Sequence, residues 1–80
     1  MKLEKVINDV MLDTLRRMGK DVDEKYLYNH TLKQMGIDSL DVMEIIIEVE
    51  GIVGYQIPSS DIHDIYAVPD LYRLFLKNER

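Results

Sequence analysis

Residues 35–51 read MGIDSLDVMEIIIEVEG, a polar turn running into a strongly apolar, acid-studded segment with Ser39 at the junction. Advancing about 100° per residue from Ser39, Val42, Ile45, Ile46, Val49 and Ile52 fall within an arc of about 120°, the width of one buried helical face. Asp38 can accept from the amide near Asp41 and Asp41 can reach back, a capping box with a shorter acid. A helix therefore begins at Asp38 or Ser39 and fades between Gly51 and Gly54. It carries more apolar residues than its core face needs. Leu40, Met43 and Ile47 lie on roughly the opposite side, on Ser39's half, with Asp41, Glu44 and Glu48 along one flank and Glu50 on the other.

Working outward, Leu3, Val6, Ile7, Val10, Met11, Leu15 and Met18 recur at the spacing of a single helical stripe over residues 2–18, and Gly19 supplies a stop. Residues 20–38 are polar and irregular. Leu27, Leu32, Met35 and Ile37 are spaced to pin them to a core, so they read as a long ordered loop with a helical turn near Thr31–Met35. DVDEKYLYNHTL begins like a calcium loop, but Tyr26 stands where the turn needs glycine and Leu32 where the bidentate acid belongs. Pro58, Ser59, Ser60 and Asp61 mark a short third helix through about Tyr66, with Ile62 and Ile65 inward. Val68 and Pro69 open a fourth, with Leu71, Leu74 and Phe75 on its apolar side and Lys77 and Arg80 suited to its C-terminal dipole. The expected fold is an all-α four-helix bundle with a long first loop and a short third helix, one domain over residues 1–80.

Hydrophobic residues at 46% and charged residues at 31% fit a folded soluble protein. There is no cysteine, hence no disulfide and no thiolate chemistry of the chain's own, which is compatible with a cytoplasmic setting. His30 and His63 stand apart without spaced ligand partners, so no metal site is expected. The formal charge is −5, and its distribution says more than its sum. Between Gln34 and Tyr72 there is no Lys or Arg, while Asp38, Asp41, Glu44, Glu48, Glu50, Asp61, Asp64 and Asp70 are all acidic. Such a surface repels nucleic acid and anionic lipid and steers toward basic protein partners. The most apolar run, IIIEVEGIVG, is interrupted by acids, so no membrane insertion is expected.

Leu40, Met43 and Ile47 admit two readings. They are ordinary scattered surface residues covered by the irregular loop, or an exposed docking strip in which apolar contact supplies affinity and the acid rim supplies orientation and on-rate. Ser39 admits three. A serine opening a helix is commonly a cap. As a catalytic nucleophile it would need a neighbouring base and an oxyanion hole, and its flanks lack the G-x-S-x-G elbow. As an attachment point it needs neither, because a separate enzyme docked on the strip can supply base and metal, and a phosphodiester is electrostatically tolerated at a helix N-terminus.

With MGIDSLDVMEIIIEVE followed by IVGYQIP and a short acidic segment before the last helix, the chain resembles an acyl carrier protein from about Leu3 to Leu76. The resemblance implies a non-enzymatic carrier whose Ser39 receives 4'-phosphopantetheine from coenzyme A, through a phosphopantetheinyl transferase that uses magnesium. The thiol of that arm would hold acyl groups as thioesters for delivery to acyl-loading and acyl-processing enzymes with basic docking surfaces, the carrier itself being a monomer. Asp38 and Leu40 match the flanks of the motif, Asp41, Glu44 and Glu50 its acidic recognition positions, and Leu40, Met43 and Ile47 its apolar contacts. The run EVEGIVG, and Gln56 and Ser59, stand where carriers of fatty-acid synthesis are commonly richer in acid. A carrier for a polyketide, a modified lipid or another specialised acyl product is thus as well matched as a fatty-acid carrier. The alternatives are an aminoacyl or peptidyl carrier, whose serine more often follows a Gly-Gly-His stretch, and an unmodified helical adaptor that binds one protein by the same strip.

Overall fold

The computed structural model describes residues 2–79. Among them there are four α-helices and one 3-10 turn: α1 Leu3–Arg17, α2 Glu24–Asn29, α3 Ser39–Val53, the turn Ser59–Asp61, and α4 Val68–Lys77. The described chain measures 33 × 25 × 19 Å, and α1 packs against each of the other helices. No helix among the described residues is long and apolar enough to cross a membrane.

The α1 stripe is buried as its spacing requires, through Val6, Ile7, Val10, Met11 and Leu15. Met18 departs from it and is exposed, because the helical period ends one residue before it. There Gly19 takes φ +90°, its amide donates to the Arg16 carbonyl at 3.0 Å, and the Lys20 amide reaches the Leu15 carbonyl at 2.8 Å. That pair of bonds is a Schellman closure, and it turns the chain sharply away.

The segment expected to be one irregular loop contains α2. Asp23 caps it by accepting from the Tyr26 amide at 3.1 Å. Leu27, its one fully buried residue, joins Leu32, Met35 and Ile37 in the core, so all four expected pins hold. Asn8, buried within α1, donates to a Glu24 carboxylate oxygen at 3.1 Å and to the Tyr28 hydroxyl at 3.0 Å, which fixes α2 against α1. The expected turn at Thr31–Met35 is closed by reciprocal bonds: the Thr31 amide donates to Gln34 Oε1 at 2.8 Å and the Gln34 amide to Thr31 Oγ1 at 3.1 Å. Lys20 Nζ, donating to the Met35 carbonyl at 2.7 Å, ties the turn to the end of α1.

The short third helix is reduced to the single turn Ser59–Asp61. Beyond it Asp64 adopts φ +57°, and the Tyr66 carbonyl accepts from the Leu32 amide at 2.9 Å. Ile62 and Ile65 still reach the core, from non-helical backbone rather than from a helical face. In α4, Leu71, Leu74 and Phe75 are buried as expected, Val68 at its start is buried with them, and the Phe75 carbonyl accepts from the Tyr55 hydroxyl at 2.9 Å. Arg80, assigned from sequence to the helix dipole, lies outside the described residues.

Candidate functional site

The start of α3 is built by two carboxylates. Asp38 Oδ1 accepts from the Asp41 amide at 2.9 Å, and Asp41 Oδ2 accepts from the Asp38 amide at 3.1 Å, a complete capping box. Asp38 is thereby the cap, and Ser39 is the first helical residue, exposed to solvent. None of the side-chain hydrogen bonds among the described residues uses the Ser39 hydroxyl to close the helix; the two aspartates do that. The Ser39 and Leu40 amides lie in the first turn, where backbone donors have no intrahelical partner and the dipole is positive.

Beside Ser39 runs a shallow groove of about 370 Å³, whose apolar walls come from Leu32, Ile37, Val42 and Ile65, with Tyr66 across it and Lys33 as its cation. Both histidines lie elsewhere. His30 Nδ1 is 2.9 Å from the Tyr26 carbonyl, with its ring stacked on Tyr26, and His63 Nδ1 is 3.1 Å from Asp64 Oδ2. Neither histidine lines the groove beside Ser39, and the carboxylates of the helix start, Asp38 and Asp41, each accept a backbone amide. What the arrangement offers is a hydroxyl open to solvent, a positive helix end, and room alongside for a flexible attached group. A phosphopantetheine arm fits these residues.

The apolar strip is open. Leu40 is 68% exposed, Ile47 61% and Met43 39%, and the irregular loop does not cover them. Glu44 is exposed at their edge, and Asp41 is half-buried, occupied with its cap. Glu48 is paired with Arg17 of α1 at 3.4 Å. Glu50 differs from a free rim acid: it is half-buried, and its Oε2 accepts from the Ile57 amide at 2.7 Å, holding the chain that leaves α3. Ile52, placed by its angle on the core face, is exposed, because it stands at the edge of that arc in the last turn of the helix. Two neighbours of the site escaped the sequence pattern. Arg17 reaches Glu48 across 31 positions, and Tyr66 lines the same groove as Ser39 from 27 residues away. Neither pair leaves a local signal.

One carboxylate near the site titrates unusually. Partial burial of Asp70 pushes its carboxyl up, but the Tyr66 and Ala67 amides, each donating to Oδ2 at 2.9 Å, and the Arg73 guanidinium outweigh this and hold it below its ordinary 3.8. Asp70 thus anchors the Tyr66 wall of the groove to the start of α4. The Tyr66 hydroxyl is raised above its ordinary value, first by its hydrogen bond to Asp64 and then by that residue's charge.

The sequence profile of the family described as "Phosphopantetheine attachment site" matches residues 9–74. Eight curated proteins match the chain. Among them is an acyl carrier protein of Exiguobacterium sp. (strain AT1b), 30% identical over 71 residues, which cover 89% of this chain and 90% of that relative. No solved structure gives a significant match. The chain belongs to the acyl carrier protein family, whose cofactor is 4'-phosphopantetheine.

Proposed function

We propose that this chain is a single carrier domain, not itself an enzyme, in which Ser39 bears the phosphopantetheine and the α3 strip receives the enzymes that attach and use it. The observation that carries this is the position of Ser39, exposed at the first residue of α3 while Asp38 and Asp41 do the capping. Because its hydroxyl has no structural duty there, it can be modified without unpicking the helix. Asp38 fixes the backbone that displays the hydroxyl, and the first-turn amides, with Lys33 lining the adjoining groove, offset the neighbouring carboxylates where an anionic diester would stand. Asp38 and Asp41 are held by amides, so the base that removes the serine proton and the magnesium come from a phosphopantetheinyl transferase, with coenzyme A as donor. When bound, the group supplies a thiol that carries acyl chains as thioesters, a chemistry this cysteine-free chain lacks.

Leu40, Met43 and Ile47 supply an apolar contact, and the acid rim led by Asp41 and Glu44, with Glu48 paired to Arg17, orients a basic visitor upon it. Contacts of this size and polarity are weak and reversible, as a carrier passing among enzymes requires. Fatty-acid, polyketide and specialised lipid synthesis all use such partners, and the acid-poor end of α3 suits a specialised product. Incubating the purified chain with coenzyme A, magnesium and a broad-specificity transferase, then weighing it intact, tests the proposal. One added phosphopantetheine is expected, and none on Ser39→Ala. A wild-type chain that stays unmodified would overturn it and leave the strip as the binding face of an unmodified adaptor, and an alanine variant that gains the same mass would overturn Ser39 as the attachment point.

A further inference from the structure

The acid rim of the strip is not offered uniformly. Asp41, Glu44 and Glu48 follow one another at three- and four-residue steps along one flank of α3. α1 ends beside them, so that Thr14, Arg17 and Met18 face these acids across a groove of about 360 Å³. Arg17 Nη2 lies 3.4 Å from Glu48 Oε1, 3.6 Å from Asp13 Oδ2 and 3.3 Å from Thr14 Oγ1. Among the described residues no Lys or Arg pairs with Asp41 or Glu44. The rim is therefore electrically divided. Next to Ser39 it presents two carboxylates with no cation paired to them among the described residues, Asp41 held by its cap and Glu44 exposed, and two turns beyond Asp41 it presents a neutralised pair.

We propose that Arg17 is a specificity-determining residue of the docking surface: it screens Glu48 and opposes a visitor's cations there, so that a partner whose basic surface runs along the whole rim associates more slowly than one whose cations are confined to Asp41 and Glu44, close to Ser39. This rests on the carrier function proposed above. A basic surface spread along the whole rim would place one cation against Arg17, and like charges in that position disfavour that complex and slow its formation. A surface whose cations are confined to the Ser39 end avoids that repulsion. The Arg17–Glu48 pair is exposed, its side chains 60% and 40% accessible, so it is weakly held, and its influence falls on the rate of association more than on the fold. Salt must screen it, with a Debye length of about 10 Å at 0.1 M ionic strength.

Arg16 provides the control. It carries the same charge one residue away and is likewise exposed, yet it pairs with Asp13 on its own helix at 3.8 Å and not with α3. The experiment measures kcat/KM for loading of the full chain by a basic, broad-specificity phosphopantetheinyl transferase at low and high salt, for wild type, Arg17→Gln and Arg16→Gln. Arg17→Gln is expected to raise kcat/KM roughly two- to five-fold at low salt through association, with the gain lost near 0.5 M, and Arg16→Gln to stay within about 1.5-fold of wild type. An Arg17→Gln value at or below wild type, a gain that persists in high salt, or equal gains in the two variants would overturn the inference while the carrier function stands. A chain that takes up no arm in any variant would overturn the carrier function, and this inference with it.

Discussion

Replacing Ser39 by alanine removes the hydroxyl but leaves both bonds of the capping box intact, because Asp38 and Asp41 make them. The variant is expected to keep wild-type stability within about 0.5 kcal/mol, as a surface change away from packing and caps does, while losing all capacity for the arm. Asp38→Ala should lower stability as well as weaken attachment. It deletes the cap and costs about 0.5–2 kcal/mol of stability, and urea unfolding followed by circular dichroism will separate the two. Asp38 and Asp41 were legible in the sequence as a capping pair because a cap is local chemistry, confined to residues three apart. Glu50 was misleading for the converse reason. Its helical angle puts it beside the strip, but its carboxylate turns to an amide seven residues ahead, a bond that exists only once the chain after Gly54 has folded back.

At the scale of elements, α1, α3 and α4 announced themselves because each repeats its apolar residues through three turns or so, long enough for the period to stand out. α2 has six residues and one fully buried side chain, and a single buried residue has no period. What fixes it is distant: Asn8, 16 and 20 positions from its partners Glu24 and Tyr28. Asn8→Ala is expected to cost about 1–3 kcal/mol by breaking these part-buried bonds, and hydrogen exchange should then show α2 amides opening ahead of those in α1 and α3. The short third helix fails for a related reason. Ile62 and Ile65 have the spacing of a helical face, yet the bond between the Leu32 amide and the Tyr66 carbonyl, with the left-handed Asp64, commits this stretch to a path no local signal encodes. On α3, Glu44→Lys should leave helicity unchanged and slow association with a basic transferase several-fold, since reversing an exposed rim charge acts mainly on encounter. Lost helicity in that variant would contradict Glu44's place on the surface.

Taken as a whole molecule, this is a small domain, with a stability of about 4–12 kcal/mol expected for its length, so one core residue weighs heavily. Phe75, fully buried with its ring centroid 6.0 Å from that of Tyr55, should cost about 3–5 kcal/mol on truncation to alanine. Calorimetry would register this as a large fall in melting temperature. The core was legible from apolar spacing, whereas the joins between elements were not, being made by polar groups far apart in sequence such as Lys20 with Met35 and Asp61 with Asn78. Asp70 ties one such join to pH. Its folded carboxyl lies below 3.8, so its contribution is present above that value and is lost as pH falls through the folded value. The stability gap between wild type and Asp70→Asn should accordingly be full at neutral pH and close below about pH 3.8, as acid titrations of both would show. The central claim, that the molecule exists to display one hydroxyl, is tested most directly by fragmenting the loaded chain in a mass spectrometer and locating the added arm. The mass should fall on the peptide containing residues 35–51 and, within it, on Ser39; an arm found on Ser59, Ser60 or any other hydroxyl would contradict it.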